Sequence, residues 1–180
     1  MNEEFTPFPK IFRLTREVIV TEKIDGTNAS VWIDENGSFK TASRTRWITP
    51  DDDNFGFSAW AYTHKDNLME LGPGAHFGEW WGSGIQRGYG LTKGERRFSL
   101  FNVSRWAESR PACCDVVPTL GRFMFDTAKV EQIIDDLQLN GSKASPGFMR
   151  PEGVIVFHVA GSVGFKKTIE RDEEPKGKMR

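Results

Sequence analysis

The chain has 180 residues, a formal net charge of -1, 38% hydrophobic and 27% charged residues, a composition that excludes a disordered chain and a generally basic nucleic-acid coat. The length suits one domain with one core, so we expect a single domain spanning 1–180. No stretch has the roughly 18 apolar residues that cross a bilayer, and the acidic N-terminus is unlike a signal peptide, so we expect a cytoplasmic protein.

Strands dominate the first part of the predicted fold. The apolar run EVIV leads into TEKIDGTN, and ASVWI then alternates apolar and polar residues. The turn residues ENG predict a hairpin before SFKTASR. A partial helical stripe from Phe57 to Leu71 predicts a helix that ends at the GPG turn.

The second part of the chain predicts two strands, one clear helix and a final hairpin. The strands are AHFGEWWG and RRFSLFNV, and the helix is DTAKVEQIIDDLQLNG, which begins at Asp126 or Thr127 and stops at Gly141. GVIVFHV and VGFKKTI are predicted to pair across the short turn AGS. The charged tail, residues 170–180, is expected to be mobile.

Several polar features outside these elements have competing interpretations. Six basic residues between Arg87 and Arg110, with Trp80, Trp81 and Trp106 near the ends, suit either a strand of nucleic acid or a solvated charged loop. The adjacent cysteines have a spacing that favours free thiols over a disulfide or a zinc site. The aspartates at 51–53 and the three histidines lack ligand spacing, which favours solvated or structural roles.

Lys23 begins a series of short motifs that runs along most of the chain. EKIDGTN is followed in order by SRTR, FGEWWG, FSLFNV, PEGVIV and VGFKKT. A Lys-x-Asp-Gly pattern alone is weak, and the order of the six motifs gives it weight. The series resembles the covalent nucleotidyltransferase superfamily of nucleic-acid ligases and mRNA capping enzymes. EKIDGTN most resembles the RNA ligases that seal nicks in duplex RNA.

The resemblance implies an α+β nucleotidyltransferase (adenylyltransferase) domain, in which antiparallel sheets with flanking helices hold the nucleotide between them. It implies ATP-dependent joining of RNA 3'-hydroxyl and 5'-phosphate ends through lysyl-AMP and RNA-adenylate, with Mg²⁺ or Mn²⁺. Lys23 would be the nucleophile. A lysine amine is mostly protonated at neutral pH, so the site must favour its neutral form.

The resemblance also assigns roles to residues of the later motifs. Glu152 would engage the catalytic metal, and Glu79 would accept hydrogen bonds from the ribose. Arg44 would hold ribose or the 5'-phosphate of the nick, and Phe101 would stack on the purine, with Phe98 as the alternative ring.

Three residues of the first motif complete the expected nucleotide pocket. The resemblance assigns Glu22 to the adenine end and Asn28 to the phosphates, and it includes Ile24 among the nucleotide-binding residues.

The last motif departs from the pattern of the superfamily. Ligases of this kind show two lysines separated by one residue, whereas Lys166 and Lys167 are adjacent and should point to opposite faces of a strand. We expect Lys166 to contact the α-phosphate and Thr168 to occupy the second position. Lys167 is kept as a further nucleotide-binding candidate.

Two other functions share these motifs. A capping-type guanylyltransferase would use GTP and carry a further C-terminal barrel, and a degenerate domain would bind RNA ends without chemistry. Few residues follow the last motif, so we expect a minimal ligase without the C-terminal domain of its relatives. A partner chain or an oligomer could then complete the reaction.

Overall fold

The computed structural model describes residues 5–173, which form two β-sheets and four α-helices. The strands are β1 (Glu17–Lys23), β2 (Thr27–Ile33), β3 (Phe39–Ser43), β4 (Trp47–Ile48), β5 (Gly74–Gly82), β6 (Arg96–Leu100), β7 (Asp115–Val116), β8 (Thr119–Met124), β9 (Gly153–His158) and β10 (Val163–Thr168). The helices are α1 (Phe57–Thr63), α2 (Lys65–Leu68), α3 (Val103–Trp106) and α4 (Thr127–Asn140). The mixture is the expected α+β class.

The two sheets are built almost entirely from antiparallel pairs. One has the strand order β10-β9-β1-β8, and the other has the order β4-β3-β2-β5-β6-β7, in which only β6 and β7 pair in parallel. The chain passes from the first sheet to the second through the short segment 24–26, between β1 and β2. The first motif of the series therefore lies where the two sheets meet.

Buried side chains form three clusters that fix which face of each strand points where. Val18 and Val20 of β1 pack with Leu137 of α4 on one side of the smaller sheet. Ile19, on the opposite face of β1, packs with Trp81 of the larger sheet. A third cluster covers the other side of the larger sheet, where helix α1 packs on it. The faces that the two sheets turn toward each other are therefore joined by the cluster that contains Ile19 and Trp81.

Helix α4 forms as its sequence predicts. Asp126 is the N-cap and its carboxylate accepts a hydrogen bond from the Ala128 N–H at 2.9 Å. Gly141 ends the helix with a φ of 76°, in the left-handed region that glycine adopts readily. The apolar stripe, with Leu137 fully buried, lies against the smaller sheet.

The helix predicted from Phe57 to Leu71 is broken. It divides at His64, whose φ of -104° and ψ of 18° leave the helical region, and it ends in a short 3-10 turn at Met69–Leu71.

Strand β8 was not predicted, because its sequence alternates only weakly between apolar and polar residues. The strand lies at the edge of its sheet, and its residues are exposed or half-buried on both faces.

The tail expected to be mobile begins inside the described residues and continues outside them, from residue 174 onward. Within the described part, Asp172 accepts a hydrogen bond from the Thr168 N–H at 2.8 Å, and Glu170 pairs with Arg87. In residues 5–173, no helix combines the length and apolar character that crossing a membrane requires.

Candidate active site

Lys23 and Glu152 form an ion pair at the end of two neighbouring strands. The register of β1 with β9 places Lys23 opposite Gly153, so Glu152 lies one residue before the paired position. The Lys23 Nζ lies 2.5 Å from Glu152 Oε2, and the two side chains are only 17% and 6% exposed. The pair fixes the position of the Lys23 amine at the ends of β1 and β9.

Glu79 is a second buried carboxylate beside this pair. The register of β2 with β5 places it opposite Asn28, whose Nδ2 donates to Glu79 Oε2 at 3.1 Å. The Gly26 N–H donates to Glu79 Oε1 at 3.0 Å. Burial raises the pKa of Glu79 to about 7, against the opposing effect of the nearby Lys23 charge. Near neutral pH this carboxyl group is therefore divided between its acid and its carboxylate form.

Gly26 allows the turn between the two sheets to lie directly on the larger sheet. A Cβ atom at this position would be 2.4 Å from the carbonyl oxygen of Trp80 and 2.7 Å from Trp81 Cβ. Neither neighbour is the flexible end of a side chain, so only glycine fits here. The close approach brings the Gly26 N–H to Glu79 and joins the first motif to FGEWWG.

Tyr89 is a buried residue of the site that the sequence interpretation missed. Its hydroxyl donates to the Lys23 carbonyl at 3.3 Å and accepts from the N–H groups of Asp25 and Glu152 at 3.2 and 3.3 Å. One phenol thus holds the backbone on both sides of the ion pair. Its ring stacks on Phe148 at 4.5 Å between centroids. The only sequence signal is a buried-type ring between two glycines, which does not distinguish it from a core residue.

Arg87 was also missed as a site residue, because it was counted in the basic stretch. Its Nε donates to Asp25 Oδ2 at 3.2 Å, and its guanidinium also reaches Glu170 and the carbonyl of Arg150. It therefore connects the segment after β1, the segment before β9 and the residues after β10. A guanidinium with several fixed donors suits this bridging position.

The arginines and tryptophans in the rest of the basic stretch make intramolecular contacts, which favours the interpretation as a charged loop; Lys93 is exposed. Trp80, Trp81 and Trp106 are buried, so their faces are unavailable to bases. The arginines bind protein oxygens: Arg96 donates to the carbonyls of Ser83 and Phe55, Arg105 to that of Leu71, Arg110 to that of Cys114, and Arg97 to the carboxylate of Glu95. These residues stabilise loops.

Lys166 and Lys167 lie on opposite faces of β10, as strand alternation predicts. Lys166 pairs with Ile155, which itself lies opposite Thr21, so Lys166 shares the sheet face of Lys23. Lys167 instead lies on the side of α4, where its Nζ is 3.1 Å from Glu131 Oε1. Lys166 therefore lies on the sheet face of Lys23 and Lys167 on the face of α4, and both line the 370 Å³ cavity beside α4.

Glu22 and Ile24, on either side of Lys23, are buried. The carboxylate of Glu22 accepts hydrogen bonds from Ser142 Oγ and from the N–H groups of Lys143 and Ala144, at 2.5 to 2.8 Å. It ties the end of β1 to the loop after α4, on the face away from Lys23. Ile24 packs in the cluster between the sheets.

The two candidate stacking rings have different environments. Phe98 is fully buried in the core under α1, so it is not available to a nucleotide. Phe101 follows β6, is 40% exposed, and its N–H donates to the Phe77 carbonyl at 3.0 Å. Arg44 is exposed in the turn between β3 and β4.

The remaining polar candidates are structural. Asp53 accepts hydrogen bonds from the N–H groups of Ser58 and Ala59 at the start of α1. His76 and His158 are buried and bind backbone groups. The two cysteines are free thiols, and burial raises the pKa of Cys114.

Glu152 is the residue that fits a divalent cation. No group of three or more His, Cys, Asp or Glu side chains within residues 5–173 could hold a metal ion. Hard cations such as Mg²⁺ are commonly bound through one or two carboxylates together with water and substrate phosphates. Glu152 could therefore hold such an ion through its carboxylate. Cavities of about 790 and 370 Å³ beside α4 are lined by neither Lys23, Glu79 nor Glu152.

Comparisons with known proteins agree on one family. The family model described as RNA ligase matches residues 16–169. The fold is similar to solved structures of a Naegleria gruberi RNA ligase: an apo variant (TM-score 0.63, 21% identity, 86% of this chain and 50% of that chain) and a variant with ATP and Mn (TM-score 0.62, 21% identity, 87% and 51%). A further variant holds AMP and Mn (TM-score 0.59, 21% identity, 86% and 50%). The chain spans about half the length of these structures, and no curated protein matches it.

The Tyr89 hydroxyl is predicted to stabilise the site through its three hydrogen bonds. Tyr89→Phe leaves the Lys23 carbonyl and two N–H groups without this partner, so the free energy of unfolding should fall by about 1–3 kcal/mol. Tyr62→Phe is the matched control, because that hydroxyl binds a single carbonyl at 3.2 Å on a partly exposed ring. Urea denaturation measures both. Equal losses in the two variants would contradict the role given to Tyr89.

Glu79 is predicted to make stability depend on pH. Its folded pKa of about 7 lies above the ordinary 4.5, so its stabilising contribution is complete below about pH 4.5 and is lost as pH rises through about 7. Glu79→Gln does not titrate. Its free energy of unfolding relative to the unsubstituted protein should therefore rise with pH, by on the order of 1 kcal/mol or more. Urea denaturation from about pH 4.5 to 7 measures this difference in the free energy of unfolding. Glu35→Gln is the control, because it removes an exposed carboxyl group and should give a difference that does not change with pH. A pH-independent difference would show that Glu79 titrates normally.

Proposed function

This chain belongs to the RNA ligase family, and we propose that it joins RNA 3'-hydroxyl and 5'-phosphate ends with ATP, through an AMP group carried on Lys23. The proposal depends on the position of the Lys23 amine. It is paired with Glu152 where the two sheets meet, and the Glu79 carboxyl group lies nearby. ATP and AMP in the solved structures of similar fold support the choice of nucleotide.

In the proposed first step, the Lys23 amine attacks the α-phosphorus of ATP. The new N–P bond forms as the bond to the β-phosphate oxygen breaks, and pyrophosphate leaves with that electron pair. The amine gives up its proton to solvent before the attack, and the ion pair with Glu152 holds it in position. Lys166, on the same sheet face, would offset the charge that develops at the α-phosphate.

The later steps exchange the partner of AMP. An oxygen of the RNA 5'-phosphate attacks the phosphorus and breaks the N–P bond, which returns Lys23 to its amine form with a proton. The 3'-hydroxyl of the other RNA end then attacks the 5'-phosphorus and releases AMP. Lys23 thus conserves the activated phosphate between two displacement reactions.

Other cleft residues would bind the nucleotide. Glu79 can accept hydrogen bonds from ribose hydroxyls, and Asn28, already bonded to it, lies between that carboxylate and the phosphates in the proposed complex. Phe101 has a partly exposed ring that could stack on the purine. Arg44 is exposed, and its guanidinium could bind the RNA phosphate. A divalent cation at Glu152 would supply charge neutralisation on the phosphates.

Transfer of a labelled α-phosphate to the protein tests the function. With α-labelled ATP and Mg²⁺ the protein should become covalently labelled, and Lys23→Ala should lose the label. Lys23→Arg is the matched variant, because it keeps a cation beside Glu152 but lacks a nucleophilic amine. α-Labelled GTP is run in parallel. Labelling by GTP alone would identify a guanylyltransferase, and labelling by neither nucleotide in folded protein would overturn the enzymatic proposal.

The two lysines of β10 are predicted to differ in their effect on labelling. Lys166→Ala removes a cation from the cleft face and should lower the rate of labelling by about tenfold or more, the scale expected for one charge-stabilising group. Lys167→Ala removes a pair with Glu131 on the far face and should change the rate by less than about twofold. Rates from quenched time courses compare them. Similar losses would mean that the register of β10 does not determine the role.

A further inference from the structure

Three exposed aromatic rings lie together on the larger sheet, away from Lys23. Trp32 contacts Trp47 and Phe77 in edge-to-face geometry, with ring centroids 5.3 and 5.8 Å apart. The three rings are 38%, 55% and 54% exposed, although rings of this size are usually buried in a core. We name Trp32, Trp47 and Phe77 the aromatic platform.

The platform belongs to the sheet face that carries the proposed nucleotide site. Across the strands, Trp47 lies opposite Ala42, Ala42 opposite Ser30, and Ser30 opposite Phe77. The Phe101 N–H donates to the Phe77 carbonyl, so the ring proposed for the purine continues this row. The row therefore carries aromatic rings at the proposed purine site and at the edge of the sheet, with the small residues Ser30 and Ala42 between Phe77 and Trp47.

The distance from the platform to Asn28, at the proposed nucleotide site, suits a neighbouring nucleotide. Trp32 is four residues along β2 from Asn28, on the same face, which is about 13 Å. The small side chains of Ala42 and Ser30 leave a shallow trough between the larger rings. The Trp32 Nε1 donates to Ser30 Oγ at 3.0 Å, so the indole is held in place over that trough.

The charges beside the platform suit phosphate. Lys40 Nζ lies 5.6 Å from the centroid of the Trp47 ring, and Lys40 is directly opposite Trp32 in the strand register. Arg44 follows on the exposed turn that leads to Trp47. Exposed rings interleaved with cations are the arrangement by which proteins hold single-stranded nucleic acid, the rings stacking on bases and the cations pairing with the backbone.

We propose that the aromatic platform binds unpaired bases of the RNA strand whose end reacts at Lys23. The inference rests on the proposed function, since it names the part of the RNA that the cleft face holds next to the nucleotide. Stacking requires an unpaired base with an accessible face, so the platform favours single-stranded ends over continuous duplex.

Equilibrium binding tests the platform independently of catalysis. The probe is a fluorescently labelled, 5'-phosphorylated single-stranded RNA of about 12 nucleotides, and fluorescence anisotropy gives its Kd. Trp32→Ala and Trp47→Ala should each raise the Kd by about fivefold or more, because one stacking surface is lost. Phe165→Ala is the matched control: that ring is 54% exposed but lies on the α4 side of the smaller sheet. Its Kd should stay within about twofold of the unsubstituted protein.

A duplex of the same sequence separates stacking from general attraction to phosphate. Its Kd should change by less than about twofold in the tryptophan variants, since its bases are already paired and stacked. Equal weakening for duplex and single strand, an unchanged single-strand Kd, or a similar loss in Phe165→Ala would overturn the inference. Should an alanine variant unfold, Trp32→Thr and Trp47→Thr remove the ring but keep strand preference.

Two further measurements separate this inference from the proposed function. Labelling of the unsubstituted protein by ATP is measured on the same preparation. If the protein is not labelled but RNA binding still depends on Trp32 and Trp47, the platform stands and the ligase proposal fails. If the protein is labelled but RNA binding does not depend on Trp32 and Trp47, the ligase proposal stands and the platform inference fails. Analytical sedimentation of the variants tests whether the platform instead joins two copies of the chain. If the tryptophan variants lose self-association while their RNA affinity is unchanged, the platform is a contact between copies and the RNA role is overturned.

Discussion

The pairing register of β1 with β9 is the constraint on which the site depends. It places Lys23 opposite Gly153 and so brings Glu152 to the amine. Apolar packing fixes that register, because Val18 and Val20 must face α4 and a slip of one residue would turn both valines out of their cluster. The same slip would turn Lys23 away from the larger sheet. The position of the Lys23 amine is therefore determined by hydrophobic burial on the other face of the strand.

A second layer of contacts holds the segments that strand pairing leaves undefined. Loops carry function because they are free to vary, and that freedom must be restricted where distances of a few tenths of an ångström matter. Tyr89 restricts it with one hydroxyl that binds the backbone at Lys23, Asp25 and Glu152, and Arg87 restricts it with a guanidinium that binds Asp25 from the opposite direction. Both come from the segment after β5, so the larger sheet positions groups that belong to the smaller one.

The sequence predicted those features of the fold and the site that depend on local periodicity or on the order of the motifs. The stripe and caps of α4 are local, and alternation along β10 separates Lys166 from Lys167. The contacts of Tyr89 and Arg87 cross more than 60 positions of the chain and involve backbone groups, which leave no residue pattern to detect. The basic stretch likewise suggested nucleic acid, although Arg96 and Arg105 donate to carbonyl groups more than 30 positions away. The aromatic platform was invisible as well, because Trp32 and Trp47 become neighbours only through the β2–β3–β4 pairing.

The charges of the site suit the nucleotide triphosphate and the cation that we propose to bind here. Asp25, Glu79 and Glu152 surround Lys23, and burial already holds Glu79 at a pKa of about 7, so that the site carries less than its full negative charge near neutral pH. Arg87 compensates Asp25. A bound triphosphate would add several negative charges to those of Asp25, Glu79 and Glu152, beside the cations of Lys23 and Lys166. Glu152 would hold the proposed divalent cation, which would offset part of that negative charge. One carboxylate would thus both position the Lys23 amine and bind the proposed cation.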